Sequence, residues 1–185
     1  MNKYFLVGIP GCGKSTLGQR VAAILEIQFF DTDIVAHNRI GEVRPIDLFS
    51  SYFHSRFRME QIRVVAELSG LDAPAIIATG AEVALMPECI GYMQSTGNII
   101  HIKRNPEIVL AGIKSDGGRR LILRNETIGT EVVMQEESVR LYAEELSQYE
   151  IVSNLTMENN GNEDEGVETL IALINKNQQS NHKGA

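Results

Sequence analysis

Short apolar runs recur along this chain, separated by stretches whose apolar positions repeat every three or four residues. The runs at 4–8, 28–31, 75–79, 98–103 and 149–153 predict strands. Helical periodicity lies between them, at 14–25, 34–39, 46–53, 56–68, 87–94, 106–114 and 131–147. A final helix carries Val167, Leu170, Ile171 and Ile174 along one face. Strands that alternate with helices pair in parallel through right-handed crossovers, with helices on both faces of the sheet. The fold class is therefore α/β. Two segments interrupt the pattern. Residues 114–127, where Gly117 and Gly118 precede Arg119, Arg120 and Arg124, read as a mobile basic loop. Residues 157–166, rich in Asn, Glu and Gly, read as a solvated loop. With no internal repeat and no separating linker, one domain is expected over 1–176, followed by a frayed polar tail at 177–185.

Composition narrows the class of partner. The chain has 185 residues, 43% of them hydrophobic and 22% charged, which suits a globular protein with a well-buried core. A net charge of −7 argues against a broad nucleic-acid surface, which needs a basic face. No apolar stretch approaches the ~18 residues of a membrane span, and no basic segment leads into an apolar one with a cleavage site. A cytoplasmic monomer acting on a small-molecule substrate, without nucleic acid or membrane, is the expectation. Cys12 and Cys89 are too few for a disulfide scaffold and too far apart for a zinc pattern. Cys12 reads as a small filler in a tight loop, Cys89 as a core residue.

The run Gly8-Ile9-Pro10-Gly11-Cys12-Gly13-Lys14-Ser15-Thr16 changes the picture most. It fits G-x-x-x-x-G-K-[ST] between a predicted strand and a predicted helix, the context a phosphate-binding loop requires. Glycines let backbone N–H groups turn inward as an anion nest, and the helix N-terminus adds partial positive charge. Gly11, Cys12, Gly13, Lys14, Ser15 and Thr16 are thus assigned to a nucleoside triphosphate, with Lys14 reaching the β- and γ-phosphates and Ser15 ligating Mg²⁺. Asp31-Thr32-Asp33 follows the second strand run, where a carboxylate can hold a metal-bound water, take a proton from a hydroxyl, or cap a helix. Lys114, Arg119, Arg120 and Arg124 form the dense basic cluster, read as a lid over the transferring phosphoryl group.

With these blocks in order the chain resembles the shikimate kinases. The resemblance runs from about residue 4 to 153, through the phosphate loop, Phe30-Asp31-Thr32-Asp33, Phe57-Arg58, Ile76-Ile77-Ala78-Thr79-Gly80, the lid arginines and Leu141-Tyr142 with Glu144. It implies a five-stranded parallel sheet of order 2-3-1-4-5 with a basic lid. It also implies that Asp33, Arg58 and Gly80 contact the acceptor, with Asp33 near the accepting hydroxyl. Lys14, Asp33 and Arg119 would be catalytic, Ser15 with Asp31 would hold Mg²⁺, and Arg119 would reach the nucleotide's transferred phosphoryl group. The reaction implied is shikimate plus ATP giving shikimate 3-phosphate and ADP.

The departures from the family pattern lie on the acceptor side. Gly80 is followed by Ala81 and Glu82 where the family has glycines. Gln61 stands where the family has a glutamate, with Glu60 beside it. Ser138 replaces a carboxylate-binding arginine, Arg140 lies two residues before Tyr142, and Arg120 replaces a proline. Two further readings therefore stay open: a kinase of the same fold for a less anionic acceptor, and a nucleotide-binding regulatory protein with weak turnover.

Overall fold

The computed structural model describes residues 3–41, 51–115, 143 and 146–183. The strands are β1 (Lys3–Val7), β2 (Gln28–Asp31), β3 (Ala75–Ala78), β4 (Asn98–Lys103) and β5 (Leu155–Glu158). They pair in parallel throughout, in the order β2-β3-β1-β4-β5. The helices are α1 (Lys14–Ile24), α2 (Thr32–Ile40), α3 (Ser51–Ser69), α4 (Pro87–Thr96), α5 (Pro106–Ser115), α6 (Leu146–Val152) and α7 (Glu163–Lys183). A 3-10 turn, Ala81–Leu85, follows β3.

The order explains the layers. The chain moves one way across the sheet from β1 to β2 and the other way thereafter. Right-handed crossovers therefore put α1 on one face and the helices between β2 and β5 on the other. α7 returns to pack on α1. Both faces of β1 are thus covered, and all five of its residues are buried, Tyr4, Phe5, Leu6 and Val7 completely. Burial of each of those large side chains contributes roughly 1.5–3 kcal/mol. α1 comes close to the sheet because Gly18 lacks a side chain. A Cβ there would lie 2.9 Å from Phe29, 3.0 Å from Leu6 and 3.2 Å from Ile76.

Four of the five predicted strands stand where the apolar runs place them. The fifth does not. Residues 149–153 belong mostly to α6, whose Tyr149 and Val152 are three apart and buried while Ile151 is 73% exposed. The apolar content mimics a strand, but burial follows helical spacing. The fifth strand is Leu155–Glu158, a four-residue sheet edge with Thr156 and Glu158 exposed and only Met157 fully buried. It lies partly in the segment expected to be a solvated loop. The predicted helices at 46–53 and 56–68 merge from Ser51 onward into α3, and 46–50 lie outside the described residues. The tail expected to fray at 177–185 is helical through Lys183, because α7 runs on past its apolar face with Asn177 and Gln178 half-buried.

Candidate active site

β1 delivers the chain into the loop 8–13, which must turn back sharply before α1 begins. Gly8, Gly11 and Gly13 hold φ of 144°, 76° and 105°, a region closed to most side chains. The space is closed as well. A Cβ at Gly8 would come within 2.7 Å of the Ile102 carbonyl, and one at Gly11 within 2.7 Å of Val109. Cys12 is fully buried, the small filler expected of it, and Cys89 is also a buried free thiol.

Backbone carbonyls of this loop are occupied one after another. The buried Lys14 ammonium donates to Gly8 O at 2.8 Å and Ile9 O at 3.0 Å. Ile9 O also accepts from Cys12 N, and Gly13 O accepts from Leu17 N as α1 begins. Cys12 O accepts from the Asn159 carboxamide at 2.8 Å. The first turn of α1 meanwhile leaves N–H groups without acceptors inside the helix. Gly13, in the left-handed region, supplies no side-chain cap for them. Carbonyls tied back and amides left forward make a cradle for an anion.

β2 runs beside β3 with Asp31 opposite Ala78, so Asp31, Thr32 and Asp33 come level with Thr79 and Gly80 at the carboxyl ends of the strands. Asp31 serves two purposes at once. Its Oδ1 caps α2 by accepting from Asp33 N at 3.0 Å and Ile34 N at 3.3 Å. Its Oδ2 accepts from the Ser15 hydroxyl at 2.6 Å. Thr32 Oγ1 accepts from Gly80 N at 2.9 Å, which holds the start of the 3-10 turn against α2.

Asp33 lies where α2, α3 and the end of β3 meet. Gln61 Nε2 donates to its Oδ1 at 2.6 Å. A Cβ on Gly80 would fall 2.2 Å from the same oxygen and 2.6 Å from the Gln61 amide, so no other residue fits at position 80 without moving both. Desolvation raises the Asp33 pKa to about 6, helped by the negative charges of Asp31 and Glu82. The Gln61 hydrogen bond and the Lys14 charge pull the other way. A carboxylate that titrates near 6 is ionised at neutral pH and still basic enough to take a proton.

Of the residues assigned from sequence, the structure brings together Gly11, Cys12, Gly13, Lys14 and Ser15 with Asp31, Asp33 and Gly80. Thr16 is exposed in the first turn of α1. Arg58 is exposed on α3, one helical turn before Gln61. Glu82 is exposed on the 3-10 turn. Glu60, next to Gln61, is directed outward into ion pairs with Arg39 at 3.4 Å and Arg63 at 3.2 Å, so it does not stand in for the family glutamate at 61. The lid assignments Arg119, Arg120 and Arg124, together with Ser138, Arg140, Leu141, Tyr142 and Glu144, lie outside the described residues. Lys114 belongs to α5.

Sequence reasoning missed two groups. His101 on β4 is completely buried, and burial together with the nearby Lys103 and Lys14 charges lowers its pKa to about 4, against a smaller opposite effect of Glu150. Its ring lies 5.4 Å from that of Tyr149, whose hydroxyl donates to Ala81 O at 3.2 Å. Asn159 was placed in a solvated loop but is 4% exposed beneath the phosphate loop. Neither is marked by local pattern, because each contact joins residues far apart in the chain.

Comparison with known proteins agrees with this geometry. The family described as shikimate kinase matches residues 10–175. A shikimate kinase from Microcystis aeruginosa is 34% identical over 140 residues, covering 76% of this chain and 72% of its own. One from Pelotomaculum thermopropionicum is 26% identical over 174 residues, covering 94% and 96%. Among solved structures, the shikimate kinase from Acinetobacter baumannii in complex with shikimate superposes with a TM-score of 0.76 at 23% identity, covering 96% of this chain and 94% of that one. A sheet of order 2-3-1-4-5, a phosphate loop braced on its carbonyls and a match over nearly the whole length lead to one conclusion: the chain belongs to the shikimate kinase family.

Proposed function

We propose that this protein transfers the γ-phosphoryl group of ATP to a hydroxyl of shikimate, releasing ADP. The observation that carries the reading is the hydrogen-bonded path from the phosphate loop through Ser15 and Asp31, around the turn into α2, to Asp33 against Gly80. It places a basic carboxylate at the same strand ends as the cradle, where open parallel sheets bind their ligands. Lys14 can exchange its two carbonyl partners for β- and γ-phosphate oxygens, and the first turn of α1 supplies amides to the same group. Asp33 takes the proton of the attacking hydroxyl. Its Oδ1 is fixed by Gln61, which leaves Oδ2 for the substrate. Arg58 faces the substrate carboxylate, and Arg119 draws charge from the transferring phosphoryl group. Phosphoryl transfer asks chiefly for positioning and charge neutralisation, and these residues supply both.

The donors at the loop fit Mg²⁺. A hydroxyl and a carboxylate 2.6 Å apart are hard oxygen ligands, the set this ion takes when phosphates and waters complete its octahedron. Ser15 would bind it directly and Asp31 through water. Bound there, the ion would neutralise charge between the β- and γ-phosphates.

Glu82 is exposed on the 3-10 turn, yet its charge still reaches Asp33, so the acceptor panel below includes less anionic compounds. No helix among the described residues is long and apolar enough to cross a membrane, and a cytoplasmic monomer is part of the proposal.

A coupled ADP-release assay with shikimate and a panel of sugars, polyols and other hydroxy acids tests the reading. Shikimate-dependent turnover is expected, rising with pH through about 6 as Asp33 ionises. Lys14→Ala should abolish turnover and weaken ATP binding, since charge-assisted contacts of ~1.5–3 kcal/mol each are lost. Turnover indifferent to shikimate, or a Lys14→Ala variant as active as the parent, would overturn the reading.

A further inference from the structure

Asn159 is the first residue beyond β5. Its backbone N–H donates to Lys103 O at 2.7 Å, which continues the β4–β5 pairing one step past the strand. Its side chain then turns under the phosphate loop and is buried there. The Nδ2 group donates to Cys12 O at 2.8 Å, an orientation fixed by chemistry because a carbonyl can only accept. Two glycines from separate elements make room for this carboxamide. A Cβ on Gly13 would lie 2.7 Å from Asn159 Nδ2, and one on Gly166, in α7, 2.6 Å from Asn159 Oδ1. An amide seated between two such glycines occupies a built position.

The bond acts on a peptide group that has little else to hold it. Gly13 has no side chain, sits at φ 105° and is separated only by Cys12 from Gly11 at φ 76°. Glycine explores both signs of φ freely, so the peptides of this loop can rotate at small cost. The Cys12–Gly13 peptide is planar, so a carbonyl turned down toward Asn159 turns the Gly13 N–H the opposite way, across the loop. Lys14 also holds loop carbonyls, those of Gly8 and Ile9, but its ammonium is the group a phosphate would claim. Asn159 lies below the loop and has no such competing demand.

We propose that Asn159 is a positioning residue for nucleotide binding: it pins the Cys12 carbonyl and thereby keeps the Gly13 amide turned toward the phosphates. The inference rests on the nucleotide reading above and adds a residue from the far end of the chain. Because Asn159 acts through backbone that faces phosphate, its effect belongs to the phosphates and is blind to the base. It also belongs to binding more than to the chemical step.

The test is titration of the full chain and its variants with ATP, GTP and inorganic triphosphate, alongside steady-state kinetics and thermal melts. Asn159→Ala is expected to weaken all three ligands by about the same factor, on the order of 10-fold. KM for ATP should rise by a similar factor, while kcat at saturating ATP and KM for shikimate change much less. Asn159→Asp keeps the size of the side chain but cannot donate when ionised and adds negative charge beside the phosphates. It should bind more weakly still, and it carries the test if the alanine variant does not fold. Asn154, whose carboxamide bonds Ile99 N and Asn98 Oδ1 just before β5, is the control. Asn154→Ala should lower the melting temperature and leave ATP affinity unchanged. ATP affinity equal to the parent in both Asn159 variants would overturn the proposal. So would a loss confined to ATP, which would mean contact with the base, or an equal loss in Asn154→Ala, which would mean general weakening of the sheet edge. A parent that binds no nucleotide removes the nucleotide reading as well; a parent that binds, with unaffected variants, removes this inference alone.

Discussion

Gln61 shows how much one side chain can settle. It is 3% exposed, its Nε2 is committed to Asp33, and its Oε1 has no partner among the described residues. A buried amide half satisfied in this way costs stability unless something else binds it. Its return is geometric, since Asp33 is held by one oxygen against Gly80 with the other left over. Gln61→Met keeps the volume and removes the amide. It should lower kcat/KM for shikimate by about 10- to 100-fold, the scale expected when a reacting group loses its orientation. ATP affinity by titration should not change; a fall in ATP affinity of the same size would mean that Gln61 supports the fold rather than Asp33. The sequence marks position 61 only as a neutral residue where the family has an acid. That its amide reaches Asp33, 28 residues earlier, is not a local property and could not be read from periodicity.

Elements were legible in proportion to how strongly burial imprints a period. β1, β3 and β4 are buried on both faces and read as continuous apolar runs. The loop after β1 read clearly because its glycines and lysine are demanded by backbone geometry and charge within a few residues. β5 is an edge strand with half its residues in water, and α6 beside it carries an apolar but exposed Ile151, so the two exchanged signals. The placement of α1 depends on Gly18, which lies under the tips of Phe29, Leu6 and Ile76. Gly18→Ala puts a methyl group into that contact. Overpacking of this kind typically costs ~1–3 kcal/mol, and here α1 can relieve it only by lifting from the sheet with its phosphate-facing first turn. A lower urea midpoint together with a raised KM for ATP is expected. A lower midpoint with KM unchanged would show that the sheet yields and the helix does not.

At the scale of the whole fold, two titratable groups among the described residues give stability opposing slopes with pH. Asp33 has its pKa raised to about 6 in the fold, so the folded state holds a proton the unfolded chain releases; this stabilises the fold below about 4 and is lost as pH rises through 6. His101 has its pKa lowered to about 4, so the fold binds fewer protons than the unfolded chain; its contribution is present above about 6.5 and lost as pH falls toward 4. Between 4 and 6 the two offset each other. Asp33→Asn should therefore raise stability at pH 7, by of order 2 kcal/mol, while abolishing turnover. It should also leave the His101 slope unopposed, so that denaturation midpoints climb more steeply from pH 4 to 6.5 than in the parent. Parallel midpoint curves for parent and variant would contradict the assignment of Asp33.

The bond from Asn159 to Cys12 spans 147 positions of sequence, and that separation has a meaning in time. Synthesis makes the glycine-rich loop and its lysine long before the strand and asparagine that brace them. Until then the nascent chain carries a complete phosphate-binding motif without its asparagine brace. On the proposal above, nucleotide grips such a partly made chain more weakly than the finished one, by about the factor lost in Asn159→Ala. On the same proposal, full affinity for ATP is acquired only when the last strand docks.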